Sequence, residues 1–190
     1  MENKDDPQEP RRLGRPRTID RERLLDAAEE IVTQSGAAAL TIDAVARAAG
    51  VTKGGVQYAF GSKEALIQAM FDRWDQTYEA IFRSMAGPDA TPAQAVRAHV
   101  EGIYGSDDNA HAKAASLLAA LIRTPEHLAA TRAWYRQRIA ALDLDREEDR
   151  RARLAFLAAE GAFMLRFFGL MEIDEAEWRD IFADIRRFTA

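Results

Sequence analysis

The chain has 190 residues, 47% of them apolar and none of them cysteine. That is enough for one large or two small domains with a core, and it excludes disulfide scaffolds, thiolate zinc sites and cysteine nucleophiles. The formal net charge of −5 speaks against a uniformly basic nucleic-acid binder, but between Arg11 and Lys63 nine Lys/Arg stand against six Asp/Glu, a small basic module on a larger acidic remainder.

Residues 1–17 are charged and Pro-containing and read as a flexible basic arm. Within it RRLGRPRT carries Arg15 and Arg17 around Pro16, an extended Arg-Pro-Arg segment suited to a narrow minor groove. The N-terminus has no apolar signal region. The apolar stretches around Ala114–Ile122 and Leu154–Met171 are too short, or are interrupted by Glu160 and Arg166, to span a bilayer. No membrane is expected as a partner, and the expected setting is cytoplasmic.

No strand pattern occurs; helix start and stop signals recur instead. A first helix is predicted from Thr18 or Asp20 to Gly36, a second from a Thr41 cap to Gly50, and a third, very short, from a Thr52 cap to Gly61. Ser62 caps a long fourth helix that Gly87-Pro88 stops. Thr91-Pro92-Ala93-Gln94 places cap, first-turn proline and box partner together, opening a helix to about Gly105. Further helices are predicted from Asn109 to Arg123, from a Thr124 cap to Leu142, from an Asp145/Glu148 capping box to Phe168, and from an Asp174/Glu177 box to Phe188. The expected fold is therefore all-α with nine helices. Its units are a helix-turn-helix domain at 18–62 and a helical ligand-binding and dimerisation domain at 63–190.

Helices two and three, joined through Gly50-Val51, make a helix-turn-helix. Val45, Ala46, Val51, Val56 and Phe60 can face inward, leaving Lys53, Gly54, Gly55, Gln57 and Tyr58 outward. A helix roughly 10 Å long fits end-on into a major groove. Glycine lets its backbone approach closely, Gln57 can pair with adenine, and Lys53 can reach guanine or phosphate. Tyr58 and the Thr41 and Thr52 hydroxyls can hold phosphates. Lys63 adds charge beside a helix N-terminus, itself a phosphate site.

The stretch ALTIDAVARAAGVTKGGVQYAFGSKEALIQAM, preceded by RERLLDAAEEIVTQSG, resembles the N-terminal DNA-binding domain of the TetR/AcrR family of transcriptional regulators. The resemblance covers about residues 14–70. It implies that Thr41, Thr52, Lys53, Gly54, Gly55, Gln57, Tyr58 and Lys63 contact double-stranded DNA, as an inverted-repeat operator read by a homodimer. Ala59 and Gln57 depart from the related subtype, which shows a polar or aromatic residue and an apolar residue at those places.

The resemblance also implies that the remaining helices form a ligand pocket and a dimer interface. LLAALIRTPEHLAATRAWYRQRIAAL and FFGLMEIDEAEW are similar to a short effector-domain subtype. Helical spacing puts Leu154, Leu157, Gly161, Leu165 and Phe168 on one face of helix eight and Trp178, Ile181, Phe182 and Ile185 on one face of helix nine; these stripes make either intramolecular core or, as expected here, a four-helix dimer interface. The opposite stripe of helix eight carries Phe156, Glu160, Phe163 and Phe167. A carboxylate among aromatics can meet a cationic apolar ligand or pair with Arg166, Arg138 or an arginine across the dimer. Phe82, Met85, His99, Ile103, Trp134, Arg138, Glu160 and Phe163 are the candidate pocket residues.

The expected function is a ligand-responsive DNA-binding regulator, a repressor released by a small apolar effector, cationic in one version. A ligand-independent architectural DNA binder is the alternative and predicts a filled interior. An all-α enzyme is the weaker alternative. The three histidines lack metal-ligand spacing, and no HExxH, phosphate-binding glycine loop or nucleophile elbow occurs. Neither metal nor cofactor is expected.

Overall fold

The structure is a computed structural model that describes residues 20–122 and 125–188. Arg15, Arg17 and the Thr124 cap lie outside the described residues. Among these, nine α-helices and one short 3-10 turn account for the regular structure: α1 Arg21–Ser35, the turn Ala37–Ala39, α2 Ile42–Ala49, α3 Lys53–Phe60, α4 Lys63–Ala86, α5 Pro92–Gly105, α6 Asp108–Leu121, α7 Pro125–Ile139, α8 Glu147–Phe167 and α9 Glu175–Phe188. No described helix is long and apolar enough to cross a membrane.

Side-chain caps place most of the N-termini. Asp20, Thr41, Thr52, Ser62 and Asp107 each accept from a backbone N–H of the first turn, and Thr91 with Gln94 forms a complete capping box, satisfying donors that a helix start leaves orphaned. Asp174 caps α9 through Ala176 and Glu177. The box expected at Asp145 and Glu148 does not form. Arg146 occupies the cap position without a side-chain bond, and Glu148 pairs with Arg97 at 2.7 Å. The buried Asp149 carboxylate instead accepts from the Asp143 N–H at 2.7 Å. It braces the α7–α8 turn from inside, where capping spacing leaves no mark. α7 ends at Ile139, three residues before the expected Leu142.

One core joins α1, α2, α3 and the first half of α4. Leu24, Ala28, Leu40, Val45, Val56 and Leu66 are sealed there, and Leu117 and Leu121 of α6 complete it. A second core lies between α5, α6, α8 and α9, built on Val100, Ala155, Ala159, Phe163, Trp178 and Phe182. Ala93, Val96, Leu142, Ala152 and Phe156 make a third, smaller cluster beside it. α4 runs 24 residues without interruption, about 36 Å at the usual helical rise, and touches α1, α3, α5 and α6.

Replacing Asp149 by Ala strands the Asp143 N–H and is expected to destabilise the chain by about 1–3 kcal/mol, whereas Asp145→Ala stays within about 0.5 kcal/mol of the parent. Urea unfolding of the two variants checks the assignment.

Candidate functional site

Two places concentrate chemistry. The first is the surface of α2, α3 and the start of α4. Gly50, at φ 66°, ends α2 in the left-handed region, and its neighbour Val51 donates to Ala46 O at 2.9 Å, a reversal that favours glycine. Ala46 is buried at the crossing, with Val45, Val56 and Phe60 inside. The side chains of Thr52, Lys53, Gln57 and Tyr58 are exposed, Tyr58 to 86%. Gly54 has an ordinary helical φ, and a Cβ built on it would meet only Thr52 Oγ1 at 4.0 Å. Nothing within the chain requires glycine there, although a helical glycine costs about 1 kcal/mol relative to alanine.

The Thr41 and Thr52 hydroxyl oxygens accept from Ala44 N and Gly55 N, each at 3.1 Å, which leaves their O–H groups as outward donors. Lys53 Nζ sits 2.9 Å from Asp43 Oδ2, both side chains 56% exposed. Such a pair is worth at most about 1 kcal/mol and yields readily to a stronger anion. Lys63 is half-buried at the N-terminus of α4. Arg21 and Arg23 carry roles that sequence reading missed. Arg21 stacks over Phe60 at 4.3 Å and donates to Ala59 O; Arg23 reaches Ala49 O at 3.4 Å. Both strap α1 to the helix-turn-helix through backbone carbonyls, which no charge-pair pattern in the sequence reveals.

The second place is a cavity of about 400 Å³ bounded by α1, α4, α5, α6, α7 and α8. His99, Ile103, Trp134, Glu160 and Phe163 line it, as the sequence suggested; Phe82, Met85 and Arg138 do not. Phe82 stacks on the far side of Tyr78, ring centroids 6.3 Å apart. Met85, past the last turn that reaches the cavity, is 49% exposed on a separate surface hollow. Arg138 lies 4.2 Å over Trp134 and pairs with Asp75 at 3.3 Å and with Glu79, backing the wall from outside.

The wall residues that sequence reading missed include Met70, Phe71, Trp74, Tyr78 and His111. Met70, Trp74 and Tyr78 keep the i, i+4 spacing of one α4 face, a signal visible in the sequence but equally consistent with core.

A buried polar line crosses this wall. The Tyr78 hydroxyl meets His99 Nδ1, and His99 Nε2 meets Glu160 Oε1 at 2.6 Å. Within the protomer Glu160 pairs with neither Arg166 nor Arg138. Arg166 pairs with Glu175 and with Asp108, the latter at 3.7 Å. Burial raises the Tyr78 and Tyr135 hydroxyls far above their ordinary pKa, with the Glu160 charge adding to it.

On α6, the buried His111 donates from Nε2 to the Ile103 carbonyl at 2.7 Å, a C-terminal carbonyl of α5 without a helical partner. Burial lowers its pKa, against the pull of the Ile103 bond and of Asp107 and Asp108, while Arg166 lowers it further.

The expected dimer stripe is split. Leu154, Leu157 and Leu165 are 52%, 55% and 40% exposed, with Gly161 half-buried between them. Trp178, Phe182 and Ile185 are instead sealed against α8 in the protomer's own core, and Phe168 and Ile181 pack on that core. The α9 stripe is consumed by its own chain because α8 and α9 pack directly together.

These features define a class: an all-helical protein with a helix-turn-helix at one end and a cavity domain at the other. Residues 24–70 match the family model of bacterial regulatory proteins of the tetR family, and residues 105–190 match that of tetracyclin repressor-like C-terminal domains. The chain belongs to the TetR family.

Among curated relatives it is similar to the HTH-type transcriptional regulator TtgR of Pseudomonas putida, 32% identical over 69 residues, covering 36% of this chain and 33% of that one. With SrpR of Pseudomonas putida it is 31% identical over 84 residues, covering 44% and 39%. The match thus spans little more than a third of these relatives.

The fold is shared over nearly the whole chain with a TetR-like transcriptional regulator from Rhodococcus (TM-score 0.65, 20% identity, 90% of this chain and 95% of that one). It is shared as well with the multidrug binding protein EbrR solved with malachite green (0.64, 22%, 87% and 96%). A third example is NalD, the secondary repressor of the MexAB-OprM efflux pump in Pseudomonas aeruginosa (0.63, 19%, 88% and 94%).

Because burial holds the His111 pKa below its ordinary value, His111 contributes stability that is complete above the unfolded-state value near 6.5 and is lost as pH falls through the lower folded value. Thermal unfolding between about pH 7 and pH 5 is expected to show a smaller acid loss in His111→Phe than in the parent.

Proposed function

We propose that this chain is a dimeric, ligand-responsive transcriptional repressor that reads an inverted-repeat operator and lets go of it when a small, largely apolar molecule enters the cavity. The carrying observation is the course of α4. Its first turn, Ser62-Lys63, adjoins the reading helix α3, and further along the same unbroken helix Met70, Phe71, Trp74, Tyr78 and Ile81 form the cavity wall.

Local geometry supports the reading role. Lys53, Gln57 and Tyr58 project from α3, with the Gly54 backbone free to approach a partner closely and the outward Thr41 and Thr52 hydroxyls flanking it. Base edges then fall to Gln57 and Lys53, and phosphates to the hydroxyls and Lys63. Arg15 and Arg17 are proposed to add minor-groove contacts from the arm.

One α3 reads only a few base pairs, so useful specificity needs a two-fold partner with the reading helices about 34 Å apart. The proposed dimer face is Leu154, Leu157, Gly161 and Leu165. α8 is apolar on this side as well as on its inner side, which suits a helix covered from both. A Cβ at Gly161 would meet nothing within 4 Å, so its reason for being glycine is sought in a partner helix rather than in its own chain. An effector that fits the wider-spaced dimer moves α4 and takes the two α3 helices out of register with successive grooves. The open cavity also favours this reading over a ligand-independent architectural role, which calls for a filled interior.

Three outcomes are expected. In anisotropy titrations with DNA from upstream of the gene, Lys53→Ala weakens binding and flattens the salt dependence by about one phosphate contact. In a randomised-site selection, Gln57→Ala alters base preference; an unchanged preference rejects its reading role. Leu157→Asp yields monomers in sedimentation with an unchanged helical circular dichroism spectrum. The mechanism itself rests on linkage: an effector that weakens operator binding must bind the operator complex more weakly by the same factor, and equal affinity with and without DNA sinks it.

A further inference from the structure

Among the described residues, each charged side chain that lines the cavity already has a partner in the chain. Glu160 meets His99 at 2.6 Å, and Glu29 takes Arg73 at 2.5 Å and Lys113 at 3.3 Å. Two buried polar atoms, His111 Nδ1 and the Thr33 hydroxyl oxygen, have no hydrogen-bond partner, but both are sealed off and offer a ligand nothing. What stays open is aromatic. Trp74, Tyr78 and Trp134 line the cavity half-buried, with Trp74 stacked on Tyr78 at 5.3 Å between centroids.

The cavity opens beside the α5–α6 corner, where its lining residues Ser106, Ala110 and Lys113 are exposed. From α5, His99, Gly102, Ile103 and Ser106 line it, the spacing of one helical face. His99 and Ile103 are buried, Ser106 is exposed, and Gly102 is half-buried between them, which puts Gly102 at the mouth. It lies within α5 and has no positive φ. A Cβ built on it would meet nothing within 4 Å. Neither a turn nor close packing among the described residues therefore asks for glycine here, although glycine weakens a helix relative to alanine. The neighbouring Ser106 hydroxyl is turned back on its own helix, donating to the Gly102 carbonyl at 2.7 Å.

We infer that Gly102 is the residue that decides which effectors the cavity admits: its missing side chain leaves bare α5 backbone at the mouth, against which a flat, uncharged aromatic molecule lies with its rings toward Trp74 and Trp134. The inference deepens the repressor reading and rests on it. A bare stretch of helix opens a gap only as deep as a side chain, which suits a flat ring system better than a globular body. The wall rings favour an aromatic partner. A charged molecule would have to break one of the existing ion pairs or enter without a counter-charge. At about 400 Å³ the cavity is at the small end of ligand sites, so one added side chain at the mouth is felt.

The test uses the full chain and two uncharged probes, flat 1-aminoanthracene and globular 1-adamantanol, titrated calorimetrically. The flat probe is expected to bind the parent about tenfold tighter. Gly102→Ala should weaken it several-fold and Gly102→Leu by about tenfold or more. Both variants should raise the thermal unfolding midpoint, because the space is open and the helix gains a better former. Two of the three tryptophans line the cavity, so 1-aminoanthracene bound there should quench tryptophan emission in the parent.

Equal affinity for the two probes overturns the flat aromatic class. Binding unmoved by Gly102→Leu, or no binding of either probe to the parent, overturns the role of Gly102. A midpoint lowered by Gly102→Ala does so too, since it gives the glycine a structural reason. Operator binding is measured separately on the same preparations by anisotropy and should be unchanged in both variants. A failed role for Gly102 with intact DNA recognition leaves the repressor reading standing, whereas absent DNA recognition brings that reading down whatever the probes do.

Discussion

The arrangement of the cavity half depends on one buried carboxylate. Glu160 stands in the middle of α8 among Phe156, Phe163 and a wall of aromatic rings, where an unpaired charge would be very costly. It is tolerated because His99 of α5 comes to it, and because Tyr78 of α4 holds the other side of the His99 ring. Satisfying one side chain thus ties three helices, α4, α5 and α8, to one another. A cavity survives between them because polar bonds, rather than close packing of side chains, hold this part of the wall.

A second polar cluster ties that wall to the reading end. Arg73, one turn before Thr77 on α4, reaches Glu22, Asp26 and Glu29, all on α1. Partial burial opposes its charge, and the carboxylates outweigh that and raise its pKa. With Arg21 and Arg23 holding α1 to the helix-turn-helix, α1 and α4 form one frame: the far end of the frame carries Trp74 and Tyr78, and the near end presents α3. The cavity wall at Trp74 and Tyr78 and the helix α3 are thus carried on one packed frame.

Much of this was legible in the residue order. The Thr41, Thr52 and Ser62 caps, the Gly50 turn and the inward Val45, Val56 and Phe60 follow from local chemistry, so the helix-turn-helix emerges with its outward face already sorted. The inner stripe of α8, with Glu160 among phenylalanines, was equally visible from its spacing. The partner of Glu160 was not, because His99 lies sixty-one residues away and an arginine is the stronger prior for a buried carboxylate. Phe82, Met85 and Arg138 show the same limit. Helical spacing gives the direction in which a side chain points, but the wall at which it arrives depends on how α4, α5 and α7 cross.

What the sequence by itself determined is therefore the all-α class, the helix boundaries within a few residues, and the identity of the surface that α3 presents, since caps, glycine turns and short-range periodicity act over a few residues of chain. Tertiary structure alone decided which apolar stripe stays outside and which polar atoms stay unpaired. The α8 and α9 stripes read alike in sequence. Packing buries Trp178, Phe182 and Ile185 within the protomer and leaves Leu154, Leu157 and Leu165 exposed, because α9 can cover only one side of α8. The bare Nδ1 of His111 has no sequence signature either: it exists because the end of α5 brings the Ile103 carbonyl to the opposite nitrogen, a contact made by the crossing of two helices.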